Sequence, residues 1–282
     1  MITDEQLTQM AARLVDVPGV VGVLLGGSRA RGTHTLQSDV DLGLYYRRPL
    51  DVGALSALAR EVAGPEADVT AIGAWGPWVD GGGWLTVAGT PVDWIYRDLD
   101  RVRASWTAAQ EGRYAFHFQV GHPLGVPDFA YAGEAALGVI LADPSGQLEA
   151  LQQELVHYPP LLGQALAQGL WEAHFVVQGA RKAAPRRDTA YIAGCLFRAV
   201  LLCAHALHGD AGRWLVNEKG AVAAAAALAN APAGFASRAH AVLGELGSTP
   251  DQLHAALDAA VSLITDTQRS CSTGSRRKAD GV

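Results

Sequence analysis

Asp39 and Asp41 stand two residues apart at the head of an apolar run, eleven positions after Ser28 in the segment GGSRARG (26–32). Alternate residues of a β-strand share a face, so a strand over Val40–Tyr46 would present both carboxylates at one place. Two carboxylates side by side repel unless a cation lies between them. Mg²⁺, a hard ion held by a few carboxylates plus substrate phosphates, is the natural occupant. The Gly-Gly-Ser stretch supplies the complementary half. Backbone N–H groups at a helix start cradle phosphate, and glycine leaves the backbone open to approach. A third acid, Asp93, interrupts the apolar run Val92–Tyr96. A carboxylate in a strand is costly unless it is paired, hydrogen-bonded or metal-bound. An Asp-x-Asp alone is ordinary turn chemistry. The three features together describe a site for a nucleoside triphosphate and its metal.

GGSRARG, then Ser38-Asp39-Val40-Asp41-Leu42, then Pro91-Val92-Asp93 on a later strand, resembles the nucleotidyltransferase superfamily that includes DNA polymerase beta. Within it the chain looks most like bacterial antibiotic (aminoglycoside and lincosamide) nucleotidyltransferases and their actinobacterial relatives. The resemblance covers the first hundred residues or so. It implies that Asp39 and Asp41 bind two Mg²⁺ ions, and that Asp93 ligates metal or takes the proton of the acceptor. Gly27, Ser28 and Arg29 would contact the nucleotide. A lysine from a second, helical domain reaches the triphosphate in related enzymes, and Lys219 is the candidate. The implied reaction moves NMP, AMP from ATP, onto a hydroxyl of a small molecule and releases pyrophosphate. The acceptor is expected in the cleft between the domains. Two other readings stand beside it: a toxin–antitoxin type enzyme acting on tRNA or protein, and a non-catalytic nucleotide-binding module. Glu172 is an alternative to Asp93 as general base. Arg198 and His205, seven apart on one helix, loosely resemble the ribonuclease pair of HEPN domains, although a histidine in an Ala/Leu-rich helix is ordinarily structural. His117 and His122 could face the cleft.

Elements to hold these groups can be read from the pattern. A helix is predicted over Thr3–Val15, with Leu7, Met10, Ala11 and Leu14 on one face. A buried strand follows at Val20–Leu25, then a short helix opening at Ser28 and the aspartate strand. Asp51–Val62 reads as a helix, and Val69–Ile72 as a further strand. Trp84–Val87 and Val92–Tyr96 form a hairpin turning through Ala88-Gly89-Thr90-Pro91. Another helix begins at Asp98, and Phe116–His122 is a strand or a loop. From Glu134 onward only helical patterns are predicted: 148–156, 161–180, 189–207, 221–228, 235–246 and 253–267. The expected organisation is a catalytic α/β domain (1–125) with a mixed sheet flanked by helices, a helical bundle (126–269), and a tail (270–282) lacking structure.

The bulk numbers narrow the partners. Twenty-two basic against 28 acidic residues give a net charge of −6. With no basic, aromatic-interleaved stretch, nucleic acid is a disfavoured partner and a small acceptor favoured. Three cysteines without ligand spacing suit reduced thiols. No stretch approaches the ~18 consecutive apolar residues of a membrane span, and the N-terminus lacks a secretory signal pattern, so a cytoplasmic protein with no membrane partner is expected. A homodimer is left open.

Overall fold

The computed structural model describes residues 2–32, 34–35 and 38–279, with side chains through 272. The chain divides into two compact units, Met1–Ala108 with Ala115–His157, and Ala109–Tyr114 with Tyr158–Val282. In the first, the order is α1 (Asp4–Val15), β1 (Val20–Leu25), α2 (Gly27–Ala30), β2 (Val40–Tyr46), α3 (Val52–Ala63), β3 (Gly82–Val87), β4 (Thr90–Asp98), α4 (Leu99–Gln110), β5 (Phe116–Gln119), β6 (His122–Pro127), α5 (Ala130–Leu137), β7 (Val139–Ala142) and α6 (Gln147–Leu155). Five strands make one mixed sheet in the order β3-β4-β2-β1-β7, in which only β2 and β4 run parallel. β5 and β6 form a separate hairpin.

Local chemistry sets these elements. Thr3 caps α1 with a full capping box, its hydroxyl accepting from the Gln6 N–H while the Gln6 side chain accepts from the Thr3 N–H. Leu7, Met10, Ala11 and Leu14 are the buried face of that helix, as their spacing requires. β3 and β4 are joined by Ala88 and Gly89 alone, both at positive φ (50° and 75°), the signature of a type I′ turn. The turn is therefore shorter than the four residues expected, and Thr90 and Pro91 already belong to β4.

The sheet has two unlike faces. Val23, Val40, Leu42, Leu44, Tyr46, Val92, Trp94 and Tyr96 point to one side, and with Leu7, Leu14, Leu55 and Leu58 of α1 and α3 they form the core. Asp41, Asp93 and Tyr45 alternate with them and point to the other. There α5 brings Glu134 to Arg97, which makes a bidentate pair with it (Nε–Oε2 2.5 Å, Nη2–Oε1 3.0 Å). Burial works against the Arg97 charge, and the adjacent Glu134 carboxylate more than restores it.

Four expectations differ. Val69–Ile72 is not a strand. It lies against the glycine triplet, with Thr70 N–H donating to Gly82 O (2.7 Å), and a Cβ on Gly83 would sit 2.9 Å from Asp68 O. The boundary expected at residue 125 falls inside the first unit, because Val139–Ala142 is a strand pairing with β1 at the sheet edge rather than part of a helical region. The helix expected over 161–180 is two, α7 (Pro160–Gln168) and α8 (Leu170–Ala180), parted at Gly169, where a Cβ would run into the Tyr114 hydroxyl. The tail expected from Ser270 continues a helix as far as Ala279, and residues 280–282 lie outside the described residues.

The second unit is helical. After α8 come a 3₁₀ turn (Arg181–Arg186), α9 (Thr189–Ala211), α10 (Ala221–Ala226), α11 (Phe235–Gly244) and α12 (Pro250–Ala279). α9 is its centre, packing on α7, α8, α10, α11 and α12. By length and composition α9 could cross a bilayer, but 67 % of its most apolar window is buried among these neighbours, the position of a core helix.

Candidate active site

The parallel pairing of β2 with β4 places Asp41 directly beside Asp93, in an unbroken register from Val40↔Val92 to Tyr46↔Asp98. Neighbouring strands lie about 4.8 Å apart, and in-register residues share a face, so the two carboxylates rise side by side. Both are half-buried, whereas the core face beneath them is closed by Val40, Leu42, Val92 and Trp94, each fully buried. Asp39 precedes β2 by one residue and is exposed. It lies outside the strand, so the alternation that aligns side chains within β2 does not fix its side. Among the described residues, no three His, Cys, Asp or Glu side chains are gathered as a ready-made metal-ligand set. The pair Asp41 and Asp93 is what the fold brings together.

The glycine loop packs directly on this pair. Gly26 N–H donates to Asp41 O (2.8 Å), so the chain leaving β1 is tied to β2 at the acid itself. Gly27 holds φ +61°, and a Cβ there would overlap Asp41 Oδ2 and lie 2.8 Å from its Cγ. Glycine at 27 is therefore required twice, by its left-handed backbone and by the carboxylate filling the space a side chain would take. Ser28 stands beside it in the short α2, half-buried at the same edge of the sheet. Arg29 turns elsewhere. Its Nε and Nη2 donate to the carbonyls of Asp39 (3.3 Å) and Ser38 (3.2 Å), which braces the segment carrying Asp39. Glycine's role at 27 was expected from phosphate approach; its contact with Asp41 was not visible in the sequence.

The rest of this face is occupied by structure. Four residues past the acids, Tyr45 and Arg97 pair in register, and burial, the largest effect, together with the nearby Glu134 raises the Tyr45 phenol well above its ordinary value. Asp80, 3 % exposed, accepts from Arg101 Nη1 (2.9 Å) and the Tyr46 hydroxyl (3.1 Å) and so belongs to the scaffold. His117 stacks on Trp78 (3.8 Å between rings) and lies 3.4 Å from Asp128, an arrangement that anchors the β5–β6 hairpin. One neighbour of the acids went unsignalled in the sequence. Trp84 of β3 pairs with Asp93, on the same face, and is 73 % exposed.

The remaining candidates lie in the helical unit. Lys219 is exposed just before α10, and its N–H donates to Asn217 Oδ1 (2.8 Å) in a local Asx turn. Glu172 is ion-paired with Arg198 Nε (2.5 Å), joining α8 to α9. His205 is 2 % exposed, and burial pushes its imidazole down to about 3, so it is a neutral core group. A histidine closed off in this way gives the Arg198/His205 pair no reactive face.

These features define an α/β domain with paired carboxylates beside a glycine turn. Residues 7–72 match the family model for a nucleotidyltransferase domain, a segment that holds Gly27, Ser28, Asp39 and Asp41 and ends before Asp93. The match places a nucleotidyltransferase domain in the N-terminal part of the chain. No curated protein matches it. Among solved structures it is similar to a nucleotidyltransferase-like protein from Exiguobacterium sibiricum, with 13% sequence identity and a TM-score of 0.47 over 95% of this chain and 78% of that one.

Proposed function

We propose that the protein transfers a nucleoside monophosphate, AMP from ATP, to a hydroxyl of a small acceptor of the antibiotic class and releases pyrophosphate. The in-register pair of Asp41 and Asp93, with Gly27 against Asp41, carries this reading. The donor set suits Mg²⁺, since it is all carboxylate oxygen and this ion takes only one or two carboxylates when phosphates complete its shell. Asp41 and Asp93 would hold it, with Asp39 reaching in from the adjoining loop. When bound, it supplies charge neutralisation at the phosphates and acidifies a coordinated hydroxyl. Gly27 and Ser28 orient the phosphate chain through the first N–H groups of α2. Asp93, on the strand farther from that turn, positions the acceptor and takes its hydroxyl proton as the oxygen attacks the α-phosphorus. The bond from the α-phosphorus to the bridging oxygen breaks, and pyrophosphate leaves with that electron pair. Arg29 is proposed to hold Asp39 in place. The net charge of −6 favours a small acceptor over tRNA. That Cys195, Cys203 and Cys271 are in no disulfide fits a cytoplasmic setting.

The test is acceptor-dependent pyrophosphate release from Mg-ATP across pools of aminoglycoside, lincosamide, RNA and protein. Asp41→Asn and Asp93→Asn should each lower turnover at least a hundredfold while circular dichroism stays unchanged. Unaltered turnover in either variant would refute the assignment, and activity with the RNA pool alone would replace the small-acceptor reading.

A further inference from the structure

We infer that Trp84 and Trp75 form the acceptor's binding platform, and that the acceptor presents a hydroxylated ring with an apolar face that is neutral or cationic. The inference rests on the transfer chemistry proposed above and extends it to the substrate. Asp41↔Asp93 and Asp93↔Trp84 are successive register partners on β2, β4 and β3. The row across the sheet therefore reads Gly27, Asp41, Asp93, Trp84. Phosphate binds at its first end, so the group beyond Asp93 faces what attacks. In-register neighbours on adjacent strands are about 5 Å apart, the reach of a single ring.

Trp84 is built as a platform. Trp75 stacks on it (4.5 Å between centroids, 14° between planes), fixing one face of the indole. Trp75 itself lies over Gly82, where a Cβ would come 3.1 Å from its Cη2. Glycine at 82, two residues before Trp84 and on the same face, is required first by Trp94 O, 1.7 Å from where a Cβ would sit, and also leaves room for the second indole. An indole left 73 % exposed is a large apolar surface for a sheet edge. Apolar ring faces and cations both bind indole, whereas an anion meets the negative ring face and the carboxylates of Asp39, Asp41 and Asp93. The negative ring face thus disfavours an acidic acceptor and favours a ring bearing the reactive hydroxyl at its rim.

Tryptophan fluorescence and calorimetry would test this with phenyl β-D-glucoside, its acidic counterpart phenyl β-D-glucuronide, and Mg-ATP as separate probes. The glucoside should quench the wild-type protein and bind more tightly than the glucuronide. Trp84→Ala should weaken the glucoside by roughly tenfold, Trp84→Phe by less, and both should leave the Mg-ATP Kd within twofold. Three outcomes would overturn the platform: a Trp84→Ala loss confined to Mg-ATP, which makes it a nucleobase site; equal glucoside binding with and without Trp84; or no glucoside binding to wild type. Failure of Mg-ATP to bind any form would instead strike the nucleotidyl-transfer reading and leave the ring titration to stand by itself.

Discussion

Replacing Gly27 by alanine probes the one position where backbone, fold and chemistry meet. The residue sits at φ +61°, a region that costs an L-residue about 1–2 kcal/mol. The added Cβ would also overlap Asp41 Oδ2 and come within 2.8 Å of its Cγ. To regain ordinary contact the carboxylate oxygen must retreat by more than about 1 Å, a displacement that costs on the order of a hundredfold in rate when the group positions reactants. Gly27→Ala should therefore lower turnover at least that much while the protein stays folded. At about 2–4 °C per kcal/mol, the strain alone should take several degrees from Tm. Pyrophosphate release and a thermal melt read both quantities. The clash is separable from the backbone strain by repeating the substitution in an Asp41→Ala background. With the carboxylate gone, Gly27→Ala should cost only the backbone strain, so the two changes should be non-additive. Turnover of Gly27→Ala within threefold of wild type would refute the coupling, as would strict additivity in the cycle.

Other expectations follow from buried charge. His205 is neutral in the fold at about 3 and ordinary when unfolded at ~6.5, so the unfolded state binds the extra proton between these values. Stability should be full above pH 6.5 and decline as pH falls, by about 2 kcal/mol at pH 5; chemical denaturation at pH 8 and 5 should show that loss, and His205→Gln should reduce it. His208, lowered chiefly by burial, adds in the same direction. Glu134→Gln would leave the 8 %-exposed Arg97 without its counter-charge. The partly exposed Glu134 should make the cost about 2–3 kcal/mol rather than the larger loss of a fully buried pair, read from the denaturation midpoint.

What the sequence disclosed follows from the range of the interactions involved. Val20–Leu25 and Val40–Tyr46 are strands to the residue, because each is a bounded run of β-branched and apolar side chains whose pattern is local. Asp39, Asp41, Asp93, Gly27 and Ser28 could be proposed for the same reason, since a metal and phosphate site would need particular residue types at fixed spacing. The pairing of Asp41 with Asp93 is another matter. It depends on a 52-residue offset between two strands, and nothing near either acid encodes that. β7 was open to reading as Val-Ile-Leu-Ala between Gly138 and Asp143-Pro144, but four residues are too few to outvote the helical stretches around them. The orientation of Arg29 against Arg31 was not legible either, because hydrogen bonds to the Ser38 and Asp39 carbonyls decide it.

That offset is fixed by the face of the sheet that does no chemistry. Val92, Trp94 and Tyr96 alternate with Asp93, Ile95 and Arg97, and the first three are fully buried against the α1 and α3 side. A slip of one residue would turn Asp93 and Arg97 into that core and push Trp94 out, exchanging a buried indole for two charges. A slip of two would keep the faces but put Asp93 opposite Gly43 or Asp39 rather than Asp41. The Tyr96 hydroxyl, donating to Thr70 O at 3.1 Å, and the Tyr46 hydroxyl, donating to buried Asp80, oppose it. Each ties one strand to the 70–80 segment, and that segment is held in turn by Gly82. Removing the Tyr96 hydroxyl with Tyr96→Phe leaves the packing volume intact and loosens only this tie. Turnover should then fall more than Tm, with the deficit in kcat rather than in KM for ATP; a Tm loss with unchanged kcat would show that the core alone aligns the two acids.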